Sequence, residues 1–198
     1  MSRTDHRTRV TRMLIRRAFA ELMRRKPIQD ITIKELCGQA GINRGTFYAH
    51  YKDIYDLREQ MEAEFLVDFQ AALRPLLEQE AGDPTPLNIT TKIFQCLRDN
   101  ADVCAVTLGP NGDKAFADRL VNIGRDRCME GYSKYFPQAS PKEIALYYAF
   151  VSAGCIGLLE KWVLDGMAAS AQELAAAAEG IMMHGIGYLA SRGKPETL

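Results

Sequence analysis

Apolar residues recur every three to four positions along almost the whole sequence, the spacing that places them on one face of an α-helix. No stretch alternates cleanly between apolar and polar residues, as a half-buried strand would. The pattern predicts an all-α fold of about nine helices. The chain has 198 residues, enough for one large domain or for a small domain joined to a medium one.

Two short helices near the N-terminus have well-marked ends. Thr32 and Glu35 have the T-x-x-E spacing of a capping box, in which both side chains bond to the backbone at the helix start. Gly41 can end this helix in the left-handed conformation, and Asn43 can cap the next one. Two short helices joined by about three residues that include a glycine predict a helix-turn-helix over about residues 32–51.

The ends of the middle helices are marked by caps and by Pro-Gly stretches. Asp53 can cap a fourth helix, which Pro75 should kink or end. The stretch AGDPTP, residues 81–86, is the clearest break in the pattern. Beyond the turn GPNGD, residues 109–113, one long helix should run to about Phe136.

Two further helices close the pattern. Pro141 should occupy the first turn of a helix that continues through Leu164. Ser170 and Glu173 form a second capping box, which predicts a last helix ending near Gly193.

The charges are unevenly distributed although the net charge is zero. Residues 1–60 hold 13 Lys and Arg against 7 Asp and Glu, whereas residues 61–198 hold 12 against 18. A basic first third indicates a module that faces a polyanion, attached to a region of another function. The alternative is chance clustering of charges on solvated helices.

The short helix after Asn43 is poor in core residues and rich in hydrogen-bond donors. Phe47 and Tyr51 share one side, which should face the core. The other side and the helix ends are polar, small or aromatic: Asn43, Arg44, Gly45, Thr46, Tyr48, Ala49, His50 and Lys52. In a helix-turn-helix the second helix lies in the DNA major groove, where such residues contact base edges and phosphates. A helical hairpin with solvated side chains is the alternative.

The run ITIKELCGQAGINRGTFYAHYKDIYDL resembles the DNA-binding domain of the TetR/AcrR family of bacterial transcriptional regulators. The close match covers about residues 8–68, and it departs at Asn43, where Ser is usual, and at Cys37, where Ala is commoner. The resemblance implies an all-α fold of nine or ten helices, a homodimer and a core role for Phe47. It implies DNA contacts from Thr32, Arg44, Gly45, Thr46, Tyr48, His50 and Lys52.

The resemblance divides the chain into a DNA-binding domain, residues 1–60, and an effector-binding and dimerisation domain, residues 61–198. A helix ending in Trp and Gly before a capped last helix is similar to one subgroup of the family. The stretch 144–159 has no charge, but it is too short and too rich in glycine for a membrane span. Its small residues favour close packing between helices of two subunits. The predicted dimer interface comprises Ala149, Ala153, Gly157, Met182, Met183 and Ile186, and the alternative is the core of a monomer.

Apolar and aromatic residues of the middle helices are candidates for an effector pocket, although most of them would be core in any case. The candidates are Phe65, Phe69, Phe94, Cys104, Phe116, Leu120, Tyr147, Tyr148 and Trp162. Three histidines in the whole chain disfavour a His-rich zinc site, and no cofactor is expected. Five cysteines without CxxC spacing indicate reduced thiols in a cytoplasmic protein, as does the lack of an apolar segment near Met1.

These observations favour a homodimeric repressor that binds a double-stranded, pseudo-palindromic operator and is released by an unidentified small molecule. A constitutive or architectural DNA-binding protein without an effector is one alternative. An all-α enzyme is the other, and it is disfavoured because the sequence has no phosphate-binding glycine loop, H-E-x-x-H motif or evident nucleophile with its base.

Overall fold

The computed structural model describes residues 3–78 and 86–185. This part of the chain contains ten α-helices and a short 3₁₀ turn at Ile28–Asp30, which confirms the predicted all-α fold. The helices are α1 Arg3–Met23, α2 Ile33–Ala40, α3 Arg44–Tyr48, α4 Ile54–Glu78, α5 Pro86–Asp99, α6 Ala101–Thr107, α7 Lys114–Asn122, α8 Arg125–Tyr135, α9 Pro141–Leu164 and α10 Ala171–His184.

The helix count differs from about nine because the long helix expected up to Phe136 is divided in two. The break falls at Gly124, which precedes α8 without any side-chain cap. The carbonyl of Val121, left free near the end of α7, accepts a hydrogen bond of 2.9 Å from the hydroxyl of Tyr148. Glycine is a poor residue for a helix interior, and the tyrosine satisfies a carbonyl that the break exposes.

The local caps mostly form as the sequence predicts. Gly41 has φ 68° at the end of α2, the left-handed conformation that glycine adopts without strain. Asn43 caps α3, and the two serine capping boxes at the starts of α9 and α10 are complete. Asp53 caps α4 by accepting from the backbone N–H groups of Tyr55 and Asp56 at 2.8 and 2.9 Å.

The capping box predicted for α2 forms only in part. Thr32 accepts from the N–H of Glu35 at 3.2 Å, but the Glu35 side chain does not return to the cap. Its carboxylate pairs instead with the ammonium group of Lys26 at 2.6 Å. The side-chain hydrogen bond from Lys26 lowers the pKa of Glu35 below its ordinary value. An ion pair with the end of α1 has displaced the local backbone bond.

The helix end predicted at Pro75 does not form, and two other predicted breaks lie largely outside the described residues. Pro75 does not end α4, which runs on to Glu78. The break predicted at 81–86 and the last-helix end near Gly193 lie outside the described residues, except that α5 begins at Pro86.

The chain packs into two compact units, each discontinuous in sequence. The first comprises Met1–Phe69 and Asp99–Leu120, so that the α6–α7 segment packs with the N-terminal helices. Its tertiary contacts include the rings of Phe65 and Phe116, whose centroids are 6.1 Å apart, and a hydrogen bond from the Asn111 amide to the Met23 carbonyl. This is a division by packing, and the functional division near residue 60 remains a prediction.

The second unit comprises Gln70–Arg98 and Val121–Leu198. Within it, Phe94 of α5 meets Trp162 of α9 edge to face, with the ring centroids 5.8 Å apart. Trp162 also donates its ring N–H to the carbonyl of Ala169, which fixes the turn between α9 and α10.

Candidate nucleic-acid interface

We call α3 the recognition helix. The buried side of this helix and of the turn that follows it packs into the core of the helix-turn-helix. Phe47 is fully buried and Tyr51 nearly so, and their ring centroids are 5.7 Å apart. Leu36 and Ala40 of α2 are buried as well. Five residues of helix with a single buried side chain could not be stable alone, so packing against α2 fixes the recognition helix.

The outer side of the recognition helix is accessible, as the sequence predicts. Most of the predicted DNA contacts are exposed, and Tyr48 retains 55% of its surface. Thr46 and His50 are half-buried. The eight predicted contacts therefore all reach the surface: Thr32, Asn43, Arg44, Gly45, Thr46, Tyr48, His50 and Lys52.

The start of the recognition helix has a hydrogen-bond network that restricts two of these residues. The side-chain oxygen of Asn43 accepts from the backbone N–H of Thr46 at 2.8 Å and from the Thr46 hydroxyl at 3.0 Å. Asn43 thus has only its amide N–H groups to offer to another molecule. Thr46 has its oxygen lone pairs and its methyl group, the group that packs against the thymine methyl in direct readout.

Several cations of the N-terminal helices have an acidic partner. Arg24 and Arg25 pair with Glu21, and Lys26 pairs with Glu35. In the part of the chain that the structure describes, six exposed cations of helices α1 to α3 and the following turn form no ion pair: Arg7, Arg9, Arg17, Lys34, Arg44 and Lys52.

Lys34 is a candidate that the sequence analysis did not select. It is exposed on the first turn of α2, two residues after the predicted contact Thr32. A single lysine in a basic segment carries no distinguishing sequence signal. Lys34 differs from Lys26 in that Lys26 pairs with Glu35, whereas Lys34 forms no ion pair within the described residues.

The connection between α3 and α4 is fixed by backbone bonds. The N–H of Lys52 donates to the carboxylate of Asp56 at 2.8 Å, which lowers the pKa of that carboxyl below its usual range. Gln60 adds a second hydrogen bond to the same carboxylate. The recognition helix is therefore joined to α4 through a short, bonded turn, and a change in the orientation of α4 would move it.

Charged groups also join α4 to α1. Glu64 pairs with Arg12 and, at 2.7 Å, with Arg16. The Arg12 guanidinium reaches the hydroxyl of Tyr51 as well, at 3.4 Å. These bonds hold α1 and α4 around the buried side of the helix-turn-helix.

The nine predicted pocket residues fall into two groups, one in each unit. Phe65, Phe69, Cys104, Phe116 and Leu120 are buried in the first unit, and Phe94, Tyr147, Tyr148 and Trp162 belong to the second. The hydroxyls of both tyrosines donate to carbonyls near helix ends, since Tyr147 bonds to Met182 at 3.0 Å and Tyr148 to Val121. Burial is the main reason that the pKa of Tyr148 is raised to about 12, so its hydroxyl stays protonated.

Two thiols of the second unit, those of Cys128 and Cys155, are not activated as nucleophiles. Burial raises the pKa of both Cys128 and Cys155 above the ordinary value. A thiol with a raised pKa is a poor nucleophile, because the thiolate is the reactive form. Among the described residues no three His, Cys, Asp or Glu side chains are grouped as a metal site would require.

Five of the six predicted dimer residues lie within the described chain, and all five are exposed or half-buried. Ala149, Ala153 and Gly157 are exposed along α9, next to Phe150, which retains 76% of its surface. A Cβ atom at Gly157 would meet no atom within 4 Å. On α10, Met183 is exposed and Met182 half-buried, whereas Ile186 lies outside the described residues.

Three comparisons relate the chain to known proteins. Residues 84–184, slightly more than half of the chain, match the family model of a TetR-type transcriptional regulator C-terminal region. A search of curated proteins gives no match. The fatty acid degradation regulator FadR from Bacillus halodurans is 13% identical, with a TM-score of 0.63 over 89% of this chain and 96% of that one. A TetR transcriptional regulator from Streptococcus agalactiae is 20% identical, with a TM-score of 0.50 over 90% and 97%.

Proposed function

Because this chain belongs to the TetR family of transcriptional regulators, we propose that it is a homodimeric, sequence-specific DNA-binding repressor whose operator affinity is lowered by a small molecule. The observation that carries the proposal is the capped recognition helix, whose accessible side begins with Arg44 and is followed by Lys52, exposed cations that form no ion pair within the described residues. Lys34 on α2 is a third such cation. A cation left unpaired at a surface is available to a phosphate, whereas a paired one must first lose its partner.

The DNA contacts divide by chemistry. Lys52, Lys34 and Arg44 would bind phosphates, together with the hydroxyl of Thr32 and the amide of Asn43. Thr46, Tyr48 and His50 would face base edges in the major groove, and Gly45 allows the backbone to approach them. Contacts of the first kind set affinity and its salt dependence, and contacts of the second kind set sequence preference.

The exposed apolar side of α9 supports a dimer. Phe150 and Leu146 keep 76% and 64% of their surface in the protomer, and Ile181 and Met183 are exposed on α10. Full burial of one Phe or Leu side chain stabilises a complex by about 1.5–3 kcal/mol. We infer that α9 and α10 of two copies form a four-helix interface, which the family also implies.

A membrane is the competing explanation for α9. The helix is long and apolar enough to cross one by length and composition, with a mean hydropathy of 1.3. However, it carries Glu160 and Lys161 within its last turns and begins with a complete capping box at Ser140, as helices in water do. We therefore assign its apolar side to a second copy and the protein to the cytoplasm.

We propose that residues 1–60 bind DNA and that residues 61–198 bind the effector and form the dimer. Two recognition helices of a dimer must lie about 34–36 Å apart to enter successive major grooves of a pseudo-palindromic operator. An apolar or aromatic effector bound among the middle helices would change that spacing and release the DNA. The buried aromatic groups of both units support an apolar ligand without identifying it.

The experiment is selection of binding sites from a random pool of DNA duplexes, followed by anisotropy titrations of the selected duplex. We expect a pseudo-palindromic sequence, bound by two copies with an affinity that falls as salt is raised. Failure to enrich any sequence would contradict the proposal. Apolar compounds that bind the protein can be found by screening for those that raise its thermal stability. If a duplex is enriched but none of these compounds changes its affinity, a constitutive DNA-binding protein would be favoured instead.

An enzyme without DNA binding is the remaining alternative. None of four candidate nucleophiles of the second unit is activated, because the pKa values of Cys128 and Cys155 are raised and the hydroxyls of Tyr147 and Tyr148 bond to backbone carbonyls. We therefore propose no catalytic activity and no cofactor.

A further inference from the structure

A buried carboxylate joins the helix after the helix-turn-helix to a helix of the C-terminal region. Glu62 on α4 is buried, and it accepts a hydrogen bond of 3.0 Å from the guanidinium of Arg119 on α7. Arg58, one turn earlier on α4, approaches the other carboxylate oxygen at 3.6 Å. These two arginines form the only ion pairs of Glu62 within the described residues.

Stability alone gives a poor account of this group. Removal of a carboxylate from water is costly, and an apolar side chain of similar volume would often serve the core as well. One oxygen of Glu62 and the Nε of Arg58 are buried without a hydrogen-bond partner, so the group is not fully satisfied. A buried ion pair that costs stability is better explained by a role in positioning, in which it fixes how two helices lie against each other.

The opposite side of α4 has a matching arrangement. Glu64 lies two positions after Glu62, on a different side of the helix, and pairs with Arg12 and Arg16 of α1. Charged groups therefore hold α4 between α1 and α7. The α6–α7 turn adds a second tie, because Asn111 bonds to the last carbonyl of α1.

The Arg119 side chain is the member of the pair that can most readily leave. It retains 54% of its side-chain surface, whereas Glu62 retains 8%. Its guanidinium also stacks over the ring of Phe116 on its own helix, at 5.1 Å. Movement of α7 would thus withdraw the cation from a carboxylate that cannot follow it into water.

We propose that Glu62 is a positioning residue for DNA binding: through Arg119 it holds α4, and with it the recognition helix, in the orientation that fits the operator. The inference rests on the proposed function. It assigns to α7, which lies within the matched C-terminal region at residues 84–184, the role of passing a change in that region to the recognition helix. The bonded turn between Lys52 and Asp56 makes the recognition helix follow α4.

The test uses the duplex that the wild-type protein selects from a random pool. Glu62→Gln and Arg119→Gln should each weaken binding about five- to tenfold, in the range of ordinary coupling between sites. The double variant should bind no more weakly than either single variant, because the same bond is lost. Arg119→Lys, which keeps the charge, should retain most of the wild-type affinity. Lys114→Gln, which makes the same change of charge on the same helix, should have no effect.

The salt dependence separates a positioning role from a DNA contact or from a folding defect. The slope of affinity against salt should stay that of the wild type in all these variants, since no phosphate contact is lost. Unchanged affinity in Glu62→Gln and Arg119→Gln, additive losses in the double variant, or losses that follow the unfolded fraction measured by circular dichroism would overturn the inference. Failure of the wild type to select any duplex would instead contradict the proposed function.

Discussion

Helices α3 and α9 each have an exposed side, and the two sides differ in chemistry. The exposed side of α3 is mainly polar, whereas that of α9 is apolar. The recognition helix has five residues and one buried side chain, and its accessible side carries donors, a cation and the ring of Tyr48. Helix α9 has 24 residues, and Leu146, Phe150 and Leu164 are largely exposed along it.

The difference between the two helices indicates what each surface binds. A cation without an ion-pair partner on a capped helix is suited to a polyanion such as the DNA backbone. Large apolar side chains exposed together are suited to another apolar surface, and we propose that a second copy of α9 is that surface. The two surfaces should also depend on each other, because a recognition helix of five residues binds one half-site weakly and needs its partner on the next major groove.

A charge in the apolar surface of α9 should have the largest effect. Gly157→Arg places a guanidinium where a Cβ meets no atom of the protomer, so it should leave the fold intact and only prevent association. We expect monomers by light scattering and a loss of operator affinity of about a hundredfold or more, since the linkage of two half-site contacts is lost. Val67→Glu, which charges a similarly exposed apolar residue of α4, is the control and should remain dimeric.

A wild-type protein of one-chain mass, 22.2 kDa, would contradict the assignment of α9, as would a Gly157→Arg variant that stays dimeric. Recovery of the wild-type protein in the membrane fraction of cells would instead support the competing explanation for this helix.

Removal of a cation near the recognition helix should have the next largest effect. Lys52→Ala should weaken binding to all sequences similarly and reduce the salt slope by about one phosphate contact. Arg25→Ala is the matched control, because Arg25 pairs with Glu21 and should leave affinity and slope unchanged. Equal effects of the two substitutions would show that the lack of an acidic partner does not identify the DNA-facing cations.

Thr46 should affect sequence preference more than total affinity. Thr46→Val keeps a methyl group but loses the hydroxyl bond to Asn43, and Thr46→Ser keeps that bond but loses the methyl. If the methyl contacts a thymine, Thr46→Ser should reduce discrimination at one base pair by about 0.8 kcal/mol, the value of one buried carbon, measured against a panel of single-base operator variants. A uniform loss across the panel would assign Thr46 to a backbone contact.

The smallest expected effect concerns stability and pH. Burial raises the pKa of Glu62 above its ordinary value of 4.5, and Arg58 and Arg119 oppose this only in part. The folded state then binds more protons than the unfolded state, so the ionised carboxylate lowers stability as the pH rises above the unfolded value. Glu62→Gln should therefore raise the Tm at neutral pH, and this difference should vanish as the pH falls below the ordinary value of 4.5.

Asp56→Asn is a control of opposite sign. The pKa of Asp56 is lowered by the N–H of Lys52, so its carboxylate adds stability at neutral pH that is lost as the pH falls through the folded value. Its substitution should lower the Tm at neutral pH. A Glu62→Gln variant that is less stable than the wild type at neutral pH would show that the ion pair with Arg119 is a net stabilising contact.

Much of the helical fold and the chemistry of the recognition helix could be predicted because both depend on residues close in sequence. The cap of Asn43, the left-handed Gly41 and the two serine capping boxes act over one to three residues, so their residue types are sufficient evidence. The buried Phe47 follows from helical spacing.

Contacts between distant residues could not be predicted, because each depends on which helices the fold brings together. Glu35 pairs with Lys26 and leaves its capping box incomplete, and Tyr148 satisfies a carbonyl at the break before Gly124. Arg119 reaches Glu62 across 57 residues of sequence. Sequence alone determined the capped recognition helix and the polar residues that it presents, because local hydrogen bonds and helical periodicity decide both. Only the tertiary structure decided that α7 packs with the N-terminal helices and which cations form ion pairs, because both depend on which residues the fold brings close together.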